Sequence, residues 1–485
     1  MLSGSFWTIS MRWSMKLLGL VSTTILARLI LPSEYAVVAM AMIVVSLISA
    51  LFDFGVEIAL IRKPELDDAY INSAWSLRTV EGLLIGSGMA LLSPLATIYF
   101  HDERVAPVLW VLAFCIALTG TANVGMLLAR KNLNFSLEFK VQLTAKVAQV
   151  IATLGTAYFV RDYRALVFGI AVSYVVAWLM SYVWHSYRPR WNTSAFMEIW
   201  RVTRWLMVSS VLNCLTKRID EIVAGRIGTS TQFGLYNVGA DIGQLPTAEF
   251  GPAILKAFYP VLSSIQHDAE RVKSGVLKVQ AIVTSVTLPA GIGVASVAAP
   301  LTLLMLGPNW NGAIPFVRTF GLIGAISVIG IPLATLLVLR GFTRLQTRII
   351  WIEFVVFAIV AVFSVAAFHL QGLAIARLAG GCASVLLLAW ECQRKCGLSI
   401  RSVARVVWRP FAASLVMGAI AAYVLTLFNN IFIGLGFSIL AAALSYTLMM
   451  LISWRLLGCP QGLEFEIIGI INRRFGRIPW LSSGV

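Results

Sequence analysis

The sequence has little charge: only 12% of its 485 residues are Asp, Glu, Lys or Arg, which is about half the share usual in a soluble domain. Apolar residues make up 59%. A chain of this composition lacks the polar residues needed to cover a water-exposed surface, which excludes an ordinary soluble protein. Three charge-free runs are long enough, or nearly so, to cross the ~30 Å hydrocarbon core of a bilayer: Val37–Leu51, Ala281–Met305 and Phe411–Leu427. The sequence therefore predicts a polytopic membrane protein.

Acidic residues, histidine and cysteine are also scarce. There are 22 Asp and Glu against 38 Lys and Arg, which gives a formal charge of +16, with 4 His and 6 Cys. No basic, aromatic-interleaved region lies outside the apolar segments, so nucleic acid is excluded as a partner. Cys392 and Cys396 stand one helical turn apart without a nearby histidine or a second cysteine pair. They are interpreted as small buried hydrophobes, and neither a metal nor a cofactor is expected.

Apolar segments bounded by charge clusters, glycine or proline predict about fourteen membrane spans. The first runs past Leu29 without a small-residue cleavage site, so we expect it to be a retained span rather than a signal peptide. The predicted spans cover residues 5–31, 36–61, 72–99, 105–129, 140–160, 165–187, 200–227, 233–262, 276–306, 312–339, 347–369, 372–392, 406–428 and 430–454.

Basic residues predict the orientation of the chain. Alternate connections carry about 23 Lys and Arg on one side of the predicted spans and about 5 on the other. Because basic loops stay in the cytoplasm, both termini are expected to be cytoplasmic. The opposite connections are only a few residues long, so no extramembrane domain is expected on that side.

A weak internal repeat appears at an offset of 198 residues. Ala27-Arg28-Leu29 corresponds to Gly225-Arg226-Ile227, and Tyr35-Ala36 corresponds to Phe233-Gly234. Such repeats are typical of transporters built from two equal lobes with a substrate path between them. The sequence predicts an N-terminal lobe at residues 1–187, a cytoplasmic connector at 188–199 and a C-terminal lobe at 200–396. Two further spans and a cytoplasmic tail are predicted at 397–485.

Charged residues at bilayer depth are candidates for function, because each costs roughly 2.5–3.5 kcal/mol unless it faces a wet interior. On the first span, Arg12 and Lys16 share one helical stripe with small and polar residues. On the seventh span, Lys217 and Asp220 share a stripe, and Arg218 lies beside them. Glu221 lies one turn beyond Lys217, so Lys217 and Glu221 could form an ion pair. Snorkelling to the surface, or a purely structural ion-pair cluster, is the alternative interpretation.

The eighth span contains Asp241, Glu249 and Lys256 on one broad face, with Gln244 at its edge. Its three prolines, at 246, 252 and 260, are expected to bend or break the helix.

Asp53 and Glu57 lie one turn apart in the predicted second span and could titrate protons. Near cytoplasmic ends, Arg78, Glu81 and Lys146 are more simply explained by snorkelling. Clusters of fixed cations in a wet cavity suit an anionic cargo.

Five sequence stretches resemble those of a known family. They are Thr23–Tyr35 followed by Phe52–Gly55, Leu128–Phe135, Asp220–Gly228, Phe233–Asn237 and Tyr259–Gln266. On these stretches the chain resembles the polysaccharide transporter family of the multidrug/oligosaccharidyl-lipid/polysaccharide exporter superfamily, which includes Wzx-type flippases. The likeness runs from the N-terminus to about residue 320. One departure is Ala36, where the family commonly has glycine.

The resemblance implies an all-α fold of about 14 transmembrane helices, with two six-helix lobes around a central cationic cavity and two extra C-terminal helices. The implied cargo is an undecaprenyl-diphosphate-linked oligosaccharide, moved across the bacterial inner membrane by alternating access with ion coupling. Membrane lipids, and a polymerase and a chain-length regulator of the same pathway, are the implied partners. The residues expected to bind substrate are Arg12, Lys16, Arg28, Lys217, Arg218, Arg226 and Lys256. Those expected to couple ions or tune the field are Asp53, Glu57, Asp220, Asp241 and Glu249.

Two other functions remain open at this point. A polysaccharide polymerase or ligase is disfavoured because such enzymes generally present a sizeable outer loop with basic and histidine residues. A multidrug antiporter of the same superfamily is disfavoured because cationic drugs would suit an anionic cavity. The sequence specifies neither the sugars nor the coupling ion.

Overall fold

The computed structural model describes residues 2–63, 65–132, 134–265 and 267–456. Side chains inside helices are outside this description at 2–13, 135, 202, 204–206, 208, 209 and 257. The described chain forms 16 α-helices and one 3₁₀ helix, with no β-strand among these residues. This confirms the predicted all-α class.

The chain divides into two compact units. The first runs to Asn237 and includes Met305–Asn309, and the second comprises Val238–Leu304 and the residues from Trp310 onward. Nine helices lie in the first unit: α1 (Leu2–Leu29), α2 (Pro32–Leu51), α3 (Val56–Arg62), α4 (Asp68–Phe100), α5 (Val105–Gly120), α6 (Gly125–Lys131), α7 (Phe135–Val160), α8 (Tyr163–Val183) and α9 (Phe196–Ile227). The next helix, α10 (Ser230–Ser264), begins in the first unit and continues in the second.

Small residues let α4 and α5 approach closely. A Cβ added to Gly82 would lie 2.7 Å from the Cα atom of Gly120, and one added to Gly86 would lie 2.7 Å from the carbonyl oxygen of Ala113. Lipid tails are as apolar as leucine, so helices in a bilayer associate through close packing of this kind. The two glycines of α4 therefore determine how α4 and α5 pack.

Six helices follow in the second unit. They are α11 (Ala269–Ser296), α12 (Ala298–Met305), α13 (Ile314–Leu339), α14 (Thr343–Cys396), α15 (Ile400–Thr426) and α16 (Ile431–Leu456), with the 3₁₀ helix at Pro308–Ala313 before α13. A close contact between α11 and α13 again involves glycine, because a Cβ on Gly291 would lie 2.7 Å from the carbonyl oxygen of Gly321.

Helix α14 contains a reversal that separates the predicted spans 347–369 and 372–392. His369 has a non-helical conformation, with φ 50° and ψ −131°. The Ser364 hydroxyl donates to the Gly372 carbonyl oxygen at 2.8 Å, and a Cβ on Gly380 would lie 3.1 Å from the Glu353 carbonyl oxygen. The two halves of α14 therefore pack side by side in opposite directions.

By length and composition, nine of the described helices could cross a membrane, or ten if α5 and α6, which are bent by 63°, form one span. Three long helices, α1, α9 and α10, are not in this set, and all three contain charged residues. Every predicted span overlaps described helices, although the spans 36–61, 105–129 and 276–306 are each divided between two helices; this confirms a polytopic helical protein. The number fourteen and the predicted lobe boundaries stay predictions.

The segment before α9 is held to the first unit by hydrogen bonds. The side-chain amide of Asn123 donates to the Tyr187 carbonyl oxygen at 2.6 Å, and the Tyr187 hydroxyl donates to Asn72 Oδ1 at 2.8 Å. The Asn192 amide donates to Ser76 Oγ at 2.9 Å. Since α9 begins at Phe196, its first turn lies inside the predicted connector and follows directly from this ordered segment.

Candidate functional site: a charged pocket and two charged helices

Asp53 and Glu57 do not lie one turn apart on a continuous helix, as the sequence predicted. Helix α2 ends at Leu51, and Gly55, with φ 60°, makes a left-handed turn before α3. Asp53 Oδ1 accepts the Gly55 amide at 3.0 Å, and Asp53 Oδ2 accepts the Ser210 hydroxyl of α9 at 2.9 Å. Glycine suits this turn because it adopts positive φ without strain. The turn thus places Asp53 against α9 and Glu57 on the next helix.

Glu57 is bonded to a residue that the sequence did not single out. Arg130, at the end of α6, donates to Glu57 and also to both carboxylate oxygens of Glu138 on α7. Arg130 lies in the family-like stretch Leu128–Phe135 but was not among the expected site residues. Its partners lie 73 and 8 residues away, and no helical spacing indicates the longer contact.

A pocket of about 410 Å³ lies beside these groups in the first unit. Its charged lining residues are Asp53, Glu57, Arg78 and Glu81. Arg78 lies close to the carboxylates of both Glu81 and Glu57. With Glu138 next to it, the cluster has four carboxylates and two guanidinium groups. Such an excess of carboxylates in a confined space favours uptake of a proton or another small cation.

Helix α9 presents two kinds of charged residue. Lys217 is exposed, whereas Arg218 Nη1 donates to Glu221 Oε2 at 2.6 Å, so Glu221 takes Arg218 rather than Lys217 as its salt-bridge partner. Asp220 is buried and accepts the Tyr236 hydroxyl at 3.0 Å. Its other oxygen is buried and has no hydrogen-bond partner among the described residues. Lys217 is thus the accessible cation of this stretch, and Asp220 is an internal polar contact.

The remaining predicted cations of the first unit occupy different places. Lys16 is half-buried on α1, and Arg28 is exposed at the other end of that helix. The side chain of Arg12 lies outside the described residues. Arg226, at the end of α9, donates to the carbonyl oxygens of Ile98 and Tyr99 at 3.4 and 2.9 Å. Arg226 therefore fastens the end of α9 to the end of α4.

Helix α10 continues without interruption through its three prolines, so the prolines do not break the helix, and the predicted bend stays a prediction. Gly243 packs closely on α13, where an added Cβ would lie 2.7 Å from the Val317 carbonyl oxygen. Helix periodicity puts Asp241, Glu249 and Lys256 on roughly the opposite face. Asp241 and Lys256 are exposed and Glu249 is half-buried. These three residues belong to the second unit.

A second ionic cluster lies where the ends of α2, α4, α5 and α8 come close together. Arg104 donates to Asp102 at 2.8 and 2.9 Å and to Glu34 at 2.7 Å. Ser230 donates to Asp102 at 2.8 Å, and the Tyr163 amide donates to Glu34 at 3.1 Å. Burial opposes ionisation of Asp102, but the hydrogen bonds from Arg104 and Ser230 outweigh it and lower the pKa of this carboxyl. We call these five residues the outer clamp, after the side on which the predicted orientation places them.

The sequence matches a family model described as "Polysaccharide biosynthesis protein" over residues 25–315. The chain belongs to this family. The matched range includes the charged pocket, α9 and α10. It confirms the family resemblance that the sequence motifs indicated.

Curated relatives carry related descriptions. The chain is 24% identical over 344 residues to the lipopolysaccharide biosynthesis protein WzxC of Escherichia coli (strain K12), covering 70% of each chain. It is 20% identical over 348 residues to the teichuronic acid biosynthesis protein TuaB of Bacillus subtilis (strain 168), covering 70% of this chain and 71% of that protein.

Two solved structures share the fold. The lipid II flippase MurJ in an inward closed conformation has a TM-score of 0.75 at 15% identity, covering 93% of this chain and 99% of MurJ. An inward-facing multidrug resistance MATE family transporter has a TM-score of 0.64 at 15% identity, covering 81% and 96%. At this identity the likeness concerns the fold alone. Because a flippase and a drug transporter share that fold, it does not decide between the two functions.

Proposed function

We propose that this protein is a flippase for undecaprenyl-diphosphate-linked oligosaccharide repeat units. It would move them from the cytoplasmic to the outer leaflet of a bacterial inner membrane by alternating access. The observation that carries this proposal is the match to the polysaccharide biosynthesis family across the helices with the charged residues. The relatives named for lipopolysaccharide and teichuronic acid biosynthesis support a glycan cargo.

The cationic residues suit the diphosphate of such a cargo. A diphosphate needs fixed positive charge, and a lysine that is not committed to an internal partner can supply it. Lys217 is exposed on α9 and is the primary candidate. The other proposed contacts are Arg12, Lys16, Arg28, Arg218, Arg226 and Lys256. To bind the diphosphate, Arg218 would have to release Glu221. Arg226 would likewise have to release the carbonyl oxygens at the end of α4.

The charged pocket is the proposed site of ion coupling. Asp53 contributes one carboxylate to the pocket and also accepts the Ser210 hydroxyl of α9. Neutralising Asp53 would weaken its hold on α9, because an ionised acceptor makes the stronger hydrogen bond. A change of protonation in the pocket would thereby reach the helix that carries Lys217. The carboxylates Glu57, Asp220, Asp241 and Glu249 would tune the field along the path.

The proposed orientation places both termini in the cytoplasm, following the excess of basic residues on that side. Connections on the opposite side are short, including His101–Arg104 between α4 and α5 and Leu427–Asn430 between α15 and α16. Such loops leave little room for the outer substrate site of a polymerase, which favours transport over catalysis. A polymerase and a chain-length regulator would act on the unit after it has been flipped.

The test uses cells in which this gene is deleted and then restored as wild type, Lys217→Ala or Lys140→Ala. Lys140 is exposed on α7 and is the control for loss of one positive charge. Lipid-linked units accessible from outside are labelled on spheroplasts with a membrane-impermeant lectin. We expect deletion to abolish labelling, Lys217→Ala to lower it about tenfold or more, as for loss of a charged hydrogen bond, and Lys140→Ala to match wild type.

Each component of the proposal can fail separately. Normal labelling in the deletion strain overturns the flippase function. Normal labelling with Lys217→Ala leaves that function standing but refutes the cationic site. Drug resistance conferred by the wild-type chain on a sensitive host, without any effect on glycan, would indicate the multidrug antiporter instead.

A further inference from the structure

The corner between α14 and α15 concentrates exposed positive charge, and the acidic residue nearest to it in the sequence, Glu391 in the last turns of α14, is buried. From Gln393 to Leu456 the sequence contains Arg394, Lys395, Arg401, Arg405, Arg409 and Arg455 but no Asp or Glu. Some basic residues at other helix ends have acidic partners, such as Lys63 with Glu198 and Arg271 with Asp268. No ion pair among the described residues involves the four that precede Arg409. The exposed surface of the corner is therefore positive.

The backbone brings these residues together. Gly397, with φ 66°, ends α14 in a left-handed turn, and α15 begins three residues later at Ile400. Arg394 and Lys395 in the last turn of α14 are thus separated from Arg401 in the first turn of α15 by one short reversal. All three are exposed. A substitution at Gly397 would be strained by its φ, so glycine preserves this geometry.

One exposed stripe of α15 has the polarity profile of a phospholipid. Arg401, Arg405, Trp408 and Leu415 follow one another at helical spacing, and all are exposed. At 1.5 Å per residue, Arg401 lies about 10 Å above Trp408, and Trp408 about 10 Å above Leu415. Basic residues suit the phosphate level, tryptophan suits the interface, and leucine suits the acyl chains. The stripe matches a lipid from headgroup to tail.

The opposite face of α15 is occupied by protein. Ser414 and Met417 are buried there. Arg409 is also buried, at the flank of the stripe one turn after Arg405, and its guanidinium donates to the Met450 carbonyl oxygen of α16 at 3.2 Å. The stripe therefore points away from the helices that pack on α15. A second tryptophan belongs to the corner, since Trp390 is 49% exposed and Arg394 lies over its ring at 5.5 Å.

We propose that this corner is a binding site for an anionic phospholipid, whose headgroup contacts Arg394, Arg401 and Arg405 and whose glycerol region lies between Trp390 and Trp408. Charge complementarity selects an anionic over a zwitterionic lipid. Each basic residue near an anionic surface contributes about fivefold to affinity. On the proposed orientation the site faces the cytoplasmic leaflet.

The experiment measures lipids that remain bound to the full chain. The protein is purified from nanodiscs of phosphatidylethanolamine and phosphatidylglycerol, and retained lipids are counted by native mass spectrometry. The test variant is Arg401→Gln with Arg405→Gln. The matched control is Arg344→Gln with Arg348→Gln, which removes the same charge from two exposed residues at the start of α14. Thermal melting in neutral lipid verifies that both variants fold.

We expect the wild type and the control to retain phosphatidylglycerol, and the test variant to bind it about 25-fold more weakly, from about fivefold for each of two residues. Retention of phosphatidylethanolamine should not change. Equal losses in the two double variants would overturn the proposal, because they would indicate a general surface-charge effect. Unchanged phosphatidylglycerol retention in the test variant would also overturn it and leave an acidic protein segment as the occupant to seek.

Discussion

Replacing Gly234 by alanine should separate the first turns of α2 and α10. A Cβ at this position would lie 2.0 Å from the Pro32 carbonyl oxygen and 2.8 Å from its carbonyl carbon. Ordinary contact begins at 3.4 Å, so the Cβ and the Pro32 oxygen must move apart by 1.4 Å (3.4 − 2.0) to reach it. The obstacle is backbone and cannot rotate away as a side chain could. Overpacking of this kind costs about 1–3 kcal/mol, which for a chain of 485 residues corresponds to a melting temperature lower by about 1–3 °C.

The assay is thermal unfolding of the purified chain in one detergent, with Gly155→Ala as the control. Gly155 lies in α7, and an added Cβ there meets nothing within 4 Å. Alanine is the better helix former, so the control should melt at or slightly above the wild-type temperature. If Gly234→Ala melts with the wild type, the close approach of α2 and α10 is not present in the folded protein.

Two further substitutions test the outer clamp and the charged pocket. Arg104→Leu should destabilise the chain by about 1–3 kcal/mol in thermal unfolding, because it leaves the buried carboxylate of Asp102 without its main partner. Since Arg104 is partly exposed, this cost is smaller than for a fully buried pair. Arg164→Leu, which removes a 74% exposed arginine, should leave the melting temperature unchanged. Asp53→Asn should remove the dependence of glycan export on the proton gradient, which can bias transport by up to about 50-fold at 100 mV. Asp67→Asn, a change at an exposed carboxylate, should retain that dependence.

Either result could contradict the reasoning. Equal stability losses for the two arginine variants would mean that the clamp contributes no more than a surface ion pair. Full sensitivity to a protonophore in Asp53→Asn would place ion coupling outside the charged pocket.

The helices were largely predictable from sequence because apolar run length determines where a chain can cross a bilayer. Even the reversal at His369 was anticipated as a break between two spans. The prolines of α10 were expected to bend or break the helix, and they do not break it. In a membrane, neighbouring helices and local adjustment satisfy the freed backbone groups, so proline is tolerated within a continuous helix.

The candidate site was only partly predictable. Asp53 and Glu57 were recognised from their type and depth, but the Gly55 turn gave them separate partners. Arg130 was missed because its contact with Glu57 joins positions 73 residues apart, and a single sequence contains no signal for such a pairing. The preference of Glu221 for Arg218 over Lys217 likewise depends on side-chain conformation, since both spacings are favourable on a helix.

The hydrogen-bonded segment ahead of α9 has a practical consequence for protein engineering. The boundary between two sequence repeats is where an experimenter would ordinarily cut a transporter into co-expressed halves or insert a reporter domain. Here an insertion at Tyr187 or Asn192 would displace backbone groups that are already bonded to Asn72, Asn123 and Ser76. The exposed turn at Asn429 and Asn430 offers a better place for such a fusion, since no comparable bridge to another helix secures it among the described contacts.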